Sequence, residues 1–177
     1  MQLERLLAMI VKSLKSIKLA LFGLLTVSIL NLGFLMNTML IKDRYVCALN
    51  DSQSLPENFF VLDKKKDLNT LAVNDVIGFH FKHKDDIYFD YNHNFIKKIS
   101  CMAGSTLNVK ENAYYCDGKK IAVSRRLDSK GRKIEPFIFN GQIAKGEFFV
   151  LGTHYKSYDS RYWGFVHKED IIGIAIW

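Results

Sequence analysis

The sequence has 177 residues, of which 49% are hydrophobic and 24% are charged, and its formal net charge at pH 7 is +7. This length and composition predict one globular domain with a small additional segment. The positive charge is compatible with a nucleic-acid ligand or with an anionic membrane surface. Because the basic residues are scattered and match no recognised nucleic-acid module, we expect no nucleic-acid partner.

An uncharged apolar segment, residues 19–41, lies near the N-terminus. As a helix rising about 1.5 Å per residue, it is long enough to cross a hydrocarbon core of about 30 Å. It is too long for a cleaved signal peptide, and no small-x-small cleavage site follows it. We therefore predict an uncleaved transmembrane anchor in contact with membrane lipid. The alternative is a buried core helix.

Positive charge is concentrated before this span. Four basic residues precede it, opposed by Glu4, and two follow it around Asp43: Arg5, Lys12, Lys15 and Lys18, then Lys42 and Arg44. The positive-inside rule therefore predicts a cytoplasmic basic segment at residues 1–18. It further predicts a single-pass protein of the inner (cytoplasmic) membrane, with residues 45–177 in the periplasm.

From about residue 45 onward, short runs of β-branched and aromatic residues alternate with turn signals. Strands are predicted at residues 75–81, 87–89, 95–99, 106–109, 113–115, 147–151 and 170–176, with an Asp-Gly hairpin turn at residues 117–118. This spacing predicts a mainly β domain at residues 45–177. A domain of about 130 residues is large enough to bury a core.

Three cysteines follow the span. A disulfide is permitted outside the cytoplasm, and Cys101 and Cys116 are the better candidates because they flank the predicted hairpin. Cys47 would then be a free thiol near the membrane. No cysteine or histidine spacing indicates a zinc site, so neither a metal nor a cofactor is predicted.

Two polar segments offer a nucleophile and a base. Ser52 and Ser54 are two residues apart and share one side of an extended chain, although a plain polar loop is the alternative. Lys97 lies among apolar residues on a predicted strand, next to Lys98. If Lys97 points inward, burial lowers its pKa and makes it usable as a general base. The alternative is a pair of lysines that protects an edge strand from aggregation.

A third polar segment, residues 152–166, places Ser157, Asp159 and Arg161 among aromatic residues. It has no clear helical or strand period, so burial alone does not explain its composition. Asp159 and Arg161 can pair and stiffen a site, and Ser157 can hydrogen-bond an amine. The alternative is a structural turn held by a salt bridge.

Taken in order, these segments resemble the type I signal peptidase superfamily. Residues 52–56, Ser-Gln-Ser-Leu-Pro, are similar to its Ser-x-Ser-Met-x-Pro box, and residues 74–77, Asn-Asp-Val-Ile, are similar to its Gly-Asp-Val-Val strand. Residues 95–104 resemble Tyr-Ile-Lys-Arg-Val…Pro-Gly-Asp. Residues 157–164 are nearly identical to Ser-x-Asp-Ser-Arg-Tyr-x-Gly. The resemblance covers most of residues 50–177.

The departures from this pattern are similar to those of a subgroup, the TraF-type conjugative-transfer peptidases. Pro56 directly follows Leu55, Gly-Thr-His at residues 152–154 replaces Gly-Asp-Asn, and Ala-Gly-Ser at residues 103–105 replaces Pro-Gly-Asp. The subgroup pattern also has a cysteine pair around a Tyr-Tyr-Cys-Asp-Gly turn. Family enzymes of this type mature pilin subunits of type IV secretion, and some join the pilin ends.

The resemblance implies a signal-peptidase-like β-sheet or barrel fold and a serine endopeptidase that uses a Ser–Lys dyad. Ser54 would be the nucleophile and Lys97 the base. The Ser54 N–H and the Ser52 hydroxyl would form the oxyanion hole. The residues that support the site would be Ser157, which orients the lysine amine, and Asp159 and Arg161, which stiffen it. The resemblance implies no metal or cofactor.

We therefore expect the chain to remove leader peptides from a pilin-type precursor of a conjugative type IV secretion system, and to cyclise the pilin as a further activity. One alternative is a housekeeping signal peptidase for general preproteins, against which the single span and the shortened boxes argue. Another is an inactive membrane-tethered β scaffold, against which the presence of both Ser54 and Lys97 argues. A third is a basic protein that binds the membrane surface.

Overall fold

A computed structural model describes residues 2–50 and 52–176, with side chains from residue 13 onward. Asp51 of the predicted nucleophile loop lies outside the described residues. So do the side chains of Arg5 and Lys12, which belong to the predicted basic N-terminal segment. The chain divides into two compact units, Met1–Asp43 and Arg44–Trp177.

The first unit is a single long helix. This helix, α1, spans Gln2–Arg44, so the predicted span at residues 19–41 is helical throughout. The Asn31 side chain, which lowers the apolar character of the span, donates from Nδ2 to the Val27 carbonyl at 2.9 Å. This bond satisfies a donor that lipid cannot satisfy. By length and composition, Ser13–Arg44 is able to cross a membrane.

The second unit consists mainly of β-strands, which confirms the predicted fold class. Its strands are β1 (Tyr45–Leu49), β2 (Phe59–Asp63), β3 (Val76–His80), β4 (Asn94–Met102), β5 (Thr106–Lys110), β6 (Ala113–Cys116), β7 (Lys119–Val123), β8 (Gly141–Gln142), β9 (Glu147–Leu151), β10 (Val166–His167) and β11 (Ile171–Ala175). A short helix, α2, spans Ser160–Trp163, and 3-10 turns lie at Leu68–Thr70 and Lys168–Asp170.

The strands form two antiparallel sheets. Seven strands follow the order β1-β2-β11-β3-β4-β9-β10, and four follow the order β7-β6-β5-β8. One core cluster contains Phe79, Phe81 and Trp163, and a second contains Tyr114 and Phe149. Each large apolar side chain removed from water contributes about 2 kcal/mol. The two clusters therefore hold the sheets in a fixed frame around the loops between them.

A disulfide between Cys101 on β4 and Cys116 on β6 connects the two sheets, with 5.8 Å between the Cα atoms. The hairpin that follows β6 turns at Asp117 and Gly118, which have φ angles of 47° and 80°. Two consecutive positive φ angles are typical of a two-residue hairpin turn, so the predicted turn is confirmed. Cys47 is a free, exposed thiol.

The prediction of a strand at residues 87–89 is wrong, because these residues form bends in the structure. The Asp86 carboxylate accepts hydrogen bonds at Oδ1 from the main-chain N–H groups of Tyr88 and Phe89, at 2.8 and 2.9 Å. The side chain thus takes the donors that a strand would offer to its neighbour, and the chain bends. Aromatic and β-branched residues indicated a strand here, but the preceding aspartate decides the local backbone.

Candidate active site

Ser54 and Lys97 lie side by side in the second unit. Ser54 is in the loop between β1 and β2, and Lys97 is in the middle of β4. Lys97 Nζ lies 2.9 Å from Ser54 Oγ, within hydrogen-bond distance, and the two residues are 3% and 5% exposed. Alternation along β4 buries Phe95, Lys97 and Ile99 and leaves Lys98 half-buried. The strand period thus directs one lysine of the pair into the interior.

Burial lowers the pKa of the Lys97 amine from 10.5 to about 8. The neighbouring Asp159 opposes this change by stabilising the ammonium, whereas Arg161 adds to it. Near pH 8 a substantial fraction of the amine is therefore neutral, and its nitrogen lies within hydrogen-bond distance of the serine hydroxyl. A serine with such a base in contact can act as a nucleophile.

The loop that carries Ser54 is organised by Asn50. Its side-chain Nδ2 donates to the main-chain carbonyls of Leu55 at 3.2 Å and Glu57 at 2.9 Å. Its Oδ1 accepts from the Ser52 hydroxyl at 2.8 Å. Asn50 is not among the site residues predicted from the sequence. The available signal was an asparagine at the start of a polar loop, where Asn often hydrogen-bonds the backbone that follows it.

Ser52 lies against the nucleophile. The two hydroxyl oxygens of Ser52 and Ser54 are 2.8 Å apart, and the Ser54 N–H points to Ser52 Oγ at 3.4 Å. The two predicted oxyanion donors are therefore neighbours, and the Ser54 N–H is directed at Ser52 Oγ. In this resting arrangement the Ser52 hydroxyl donates to Asn50, so it must rotate before it can donate to a substrate oxygen. Its oxyanion role remains a prediction.

The carbonyl of Ser54 is fixed by the segment that follows β9. It accepts hydrogen bonds from the Thr153 N–H at 2.7 Å and from the His154 N–H at 3.4 Å. A Cβ atom built on Gly152 would lie 2.7 Å from that carbonyl oxygen and even closer to the Ser157 hydroxyl. Only glycine permits so close an approach. The Gly-Thr-His tripeptide, which stands where the resembled pattern has Gly-Asp-Asn, thus positions the nucleophile loop.

Asp159 and Arg161 form a buried ion pair behind the dyad. Arg161 Nε donates to Asp159 Oδ1 at 2.7 Å, and the second guanidinium nitrogen donates to Oδ2 at 2.8 Å. Asp159 also accepts from the Gly152 N–H, at 2.9 Å, and Arg161 donates to the Ser157 carbonyl at 3.0 Å. These further bonds offset the desolvation of both charges. The pair therefore fixes Gly152, which lies against the Ser54 carbonyl, and Ser157, which lines the cleft with Lys97.

Ser157 is buried and lines the same cleft as the dyad. Among the described residues its Oγ has no hydrogen-bond partner. The structure thus places a free hydroxyl near Lys97, whereas the predicted orienting bond to the amine is not formed. That role remains a prediction.

The dyad opens into a cleft of about 360 Å³. Leu49, Asn50, Asn94 and Ile96 also line it. Pairing between β9 and β4 begins at Lys98, so in the described part of the sheet residues 94–97 have an open edge on that side. A peptide can pair with such an edge in extended form. Within the described ranges, no group of three or more His, Cys, Asp or Glu residues is arranged to hold a metal ion.

Comparisons with known proteins identify the family of this chain. The family model described as "Signal peptidase, peptidase S26" matches residues 17–177, and the chain belongs to this family of serine peptidases. It is similar to "Probable signal peptidase I-1" of Synechocystis sp., with 29% identity over 106 residues, covering 59% of this chain and 52% of the relative. It is also similar to "Conjugal transfer protein TraF" of Agrobacterium fabrum, with 30% identity over 82 residues, covering 45% and 46%.

The matched segment thus spans about half the length of these relatives. Among solved structures, a signal peptidase I from Enterococcus faecalis V583 is 22% identical and has a TM-score of 0.40. The match covers 59% of this chain and 96% of that one.

Proposed function

We propose that this protein is a membrane-anchored serine endopeptidase in which Ser54 is the nucleophile and Lys97 the general base. The observation that carries the proposal is the 2.9 Å contact between Lys97 Nζ and Ser54 Oγ at a buried position. An ammonium at that position would be inert as a base, and the lowered pKa of about 8 supplies a neutral amine. Family membership supports the same chemistry.

In the proposed reaction, Ser54 Oγ bonds to the scissile carbonyl carbon while Lys97 Nζ accepts the hydroxyl proton. The carbonyl electron pair moves onto oxygen, where the Ser54 N–H and the rotated Ser52 hydroxyl stabilise it. A donor of this kind typically contributes about 3 kcal/mol. The Lys97 ammonium then protonates the leaving nitrogen, which breaks the peptide bond and leaves an acyl-enzyme. Water, or an incoming amine in a cyclisation, releases the acyl group by the same steps.

The proposed location follows from the excess of basic residues on the N-terminal side of the predicted span, residues 19–41, and from the disulfide. Residues 1–18 would be cytoplasmic, residues 19–41 would cross the inner membrane, and residues 45–177 would form the periplasmic catalytic domain. The Cys101–Cys116 disulfide fits an oxidising compartment. Confining enzyme and precursor to one membrane surface raises their effective concentration.

The proposed substrate is a pilin-type precursor of a conjugative type IV secretion system, with cyclisation of the pilin as a further activity. Similarity to a relative named as a conjugal transfer protein supports this choice. A second candidate is the removal of leader peptides from general preproteins, which is favoured by the similarity to a probable signal peptidase I. Purified full-length protein offered both kinds of precursor distinguishes the two. A pilin product lighter by one water indicates joined ends.

Processing of precursor in membranes tests the dyad. Ser54→Ala and Lys97→Ala should abolish cleavage. Lys97→Arg should also be inactive because a guanidinium stays protonated. Lys98→Ala is the matched control, since the neighbouring half-buried lysine is not in contact with the nucleophile and its loss should leave processing near wild type. Cleavage at the wild-type rate by either alanine variant at the dyad would overturn the assignment.

The pH dependence of cleavage tests the proton acceptor. Because only neutral Lys97 accepts the serine proton, kcat/KM should rise with pH and level off above about pH 8. A rate that is flat from neutral pH to pH 8, or that falls over this range, would contradict a lysine base.

A further inference from the structure

A second cavity, of about 330 Å³, lies beside the cleft that contains Ser54 and Lys97. The two spaces are adjacent, since they share five lining residues: Phe89, Ser129, Lys156, Ser157 and Tyr158. The open edge of β4, residues 94–97, lines the first cleft, and none of these residues is among the described residues that line the second cavity. A peptide that pairs with this edge and passes the dyad can therefore extend into the second cavity.

Positive charge dominates the walls of this cavity. Four cations line it, Arg125, Lys130, Arg132 and Lys156, against the single carboxylate of Asp128. That carboxylate is already occupied, since it accepts from Arg132 Nε at 2.7 Å and from the Lys130 main-chain N–H at 2.7 Å. The pair with Arg132 leaves three cations around the cavity without a carboxylate partner among the described lining residues.

Arg125 has an unused hydrogen-bond donor. Its Nε is shielded from solvent and has no partner in the described part of the chain. Its NH2 group donates to the Lys156 carbonyl at 3.3 Å, and its main-chain N–H donates to the Tyr162 hydroxyl at 3.0 Å. An unpaired, shielded donor lowers stability, and a guanidinium that turns toward a carboxylate forms two charge-assisted hydrogen bonds. Arg125 therefore gains hydrogen bonds when an anion enters the cavity.

The floor of the cavity is aromatic. Tyr158 stacks on Tyr162 with 5.6 Å between ring centroids, and it packs against Tyr88 at 4.9 Å. Such a surface accommodates the aliphatic stem of an amino acid, while the cations above it attract a charged end. The combination fits a carboxylate carried on a peptide.

We propose that this cavity binds a carboxylate on the leaving-group side of the substrate, and this proposal rests on the proposed peptidase function. The carboxylate has two chemical sources, an acidic side chain after the scissile bond or the C-terminus of a short leaving segment. Arg125 and Lys156 would be the principal contacts, because Lys156 also lines the cleft of the dyad.

Binding of labelled peptides to the full-length Ser54→Ala protein in detergent micelles tests the subsite. Fluorescence polarisation compares peptides that have alanine before the scissile bond and either Glu or Gln at each following position in turn. A further pair ends in a free carboxylate or in an amide. At one position or at the C-terminus, the carboxylate form should bind about tenfold more tightly than its uncharged partner. The peptide pair that shows the preference identifies whether the carboxylate belongs to an acidic side chain or to the C-terminus.

Arg125→Gln in the same background should bring that affinity ratio close to one, and Lys156→Gln should reduce it. Lys145→Gln, which removes an exposed cation outside both cavities, should leave the ratio unchanged. Equal affinity for every pair overturns the proposal. It is also overturned if Arg125→Gln weakens binding to phosphatidylglycerol vesicles while the paired peptides bind equally, because the cavity then takes a lipid phosphate.

Cleavage of the same peptides by the protein with Ser54 intact tests the peptidase function separately. A carboxylate preference in binding, without cleavage, would support the subsite and refute the peptidase. Cleavage of the peptides without a carboxylate preference in binding would support the peptidase and refute the subsite.

Discussion

Lys97 is the group whose replacement should separate activity from stability. Its pKa falls from 10.5 to about 8 because the folded protein buries the amine. At about 1.36 kcal/mol per pKa unit, keeping an ammonium there lowers folded-state stability by about 3 kcal/mol at pH 7. Between pH 8 and 10.5 the unfolded chain binds more protons than the folded one, so stability rises with pH across that window.

Lys97→Met should therefore abolish cleavage and raise the free energy of unfolding at pH 7 by about 3 kcal/mol. Methionine occupies similar space without a charge, and replacement of a buried ion by a well-packed apolar residue is often stabilising. Above pH 10.5 the difference should shrink, because the wild-type lysine is then neutral in both the folded and the unfolded state.

Urea unfolding of the full-length protein in micelles, followed by tryptophan fluorescence, measures this difference at pH 7 and again above pH 10.5. Lys98→Met is the matched control. It removes the half-buried lysine that follows on β4 and should change stability little at either pH. A Lys97→Met protein less stable than wild type at pH 7 would refute the reasoning. So would an unchanged pH dependence between pH 8 and 10.5.

Three further predictions concern the frame of the site. Gly152→Ala should reduce both kcat and thermal stability, because the added methyl collides with the Ser157 side chain; a wild-type melting temperature would argue against that contact. Asn50→Ala should lower kcat by about a hundredfold, because the nucleophile loop loses the side chain that organises it. A peptide-cleavage assay that determines kcat and KM separately checks this, and a change in KM with kcat unchanged would contradict the prediction. Cys101→Ser should lower the free energy of unfolding by about 3 kcal/mol, since the disulfide closes a loop between residues 15 apart; unfolding under oxidising conditions checks this, and an unchanged midpoint would contradict it.

The sequence predicted the strand that carries Lys97. Alternation along that strand allowed an inward-facing Lys97 but did not decide between this arrangement and a pair of lysines on an edge strand. The sequence also indicated the neighbourhood of Ser54 and Lys97, through the ordered set of motifs rather than through any single one. It did not predict that Thr153 binds the Ser54 carbonyl, since these residues are 99 positions apart and meet only when β9 packs against β4. Local composition carries no signal for such an approach.

Irregular segments were predicted least well. The strand expected at residues 87–89 is absent because a single carboxylate, Asp86, takes the backbone donors. The Ser160–Trp163 helix has one turn, capped by the Asp159 side chain, and is too short to show a period in sequence. In both places a hydrogen bond from one side chain to the backbone determines the local conformation. Strand and helix propensities describe the average behaviour of residue types and do not include such an individual bond.

Mass spectrometry of the enzyme quenched with acid during turnover tests the Ser54–Lys97 dyad most directly. With a precursor substrate, the wild-type protein should carry an acyl adduct whose mass is that of the substrate segment before the cleavage site, mapped by peptide sequencing to Ser54. The adduct should be absent from Ser54→Ala and from Lys97→Ala. An adduct on another residue, or precursor cleavage by Ser54→Ala, would contradict the proposed mechanism.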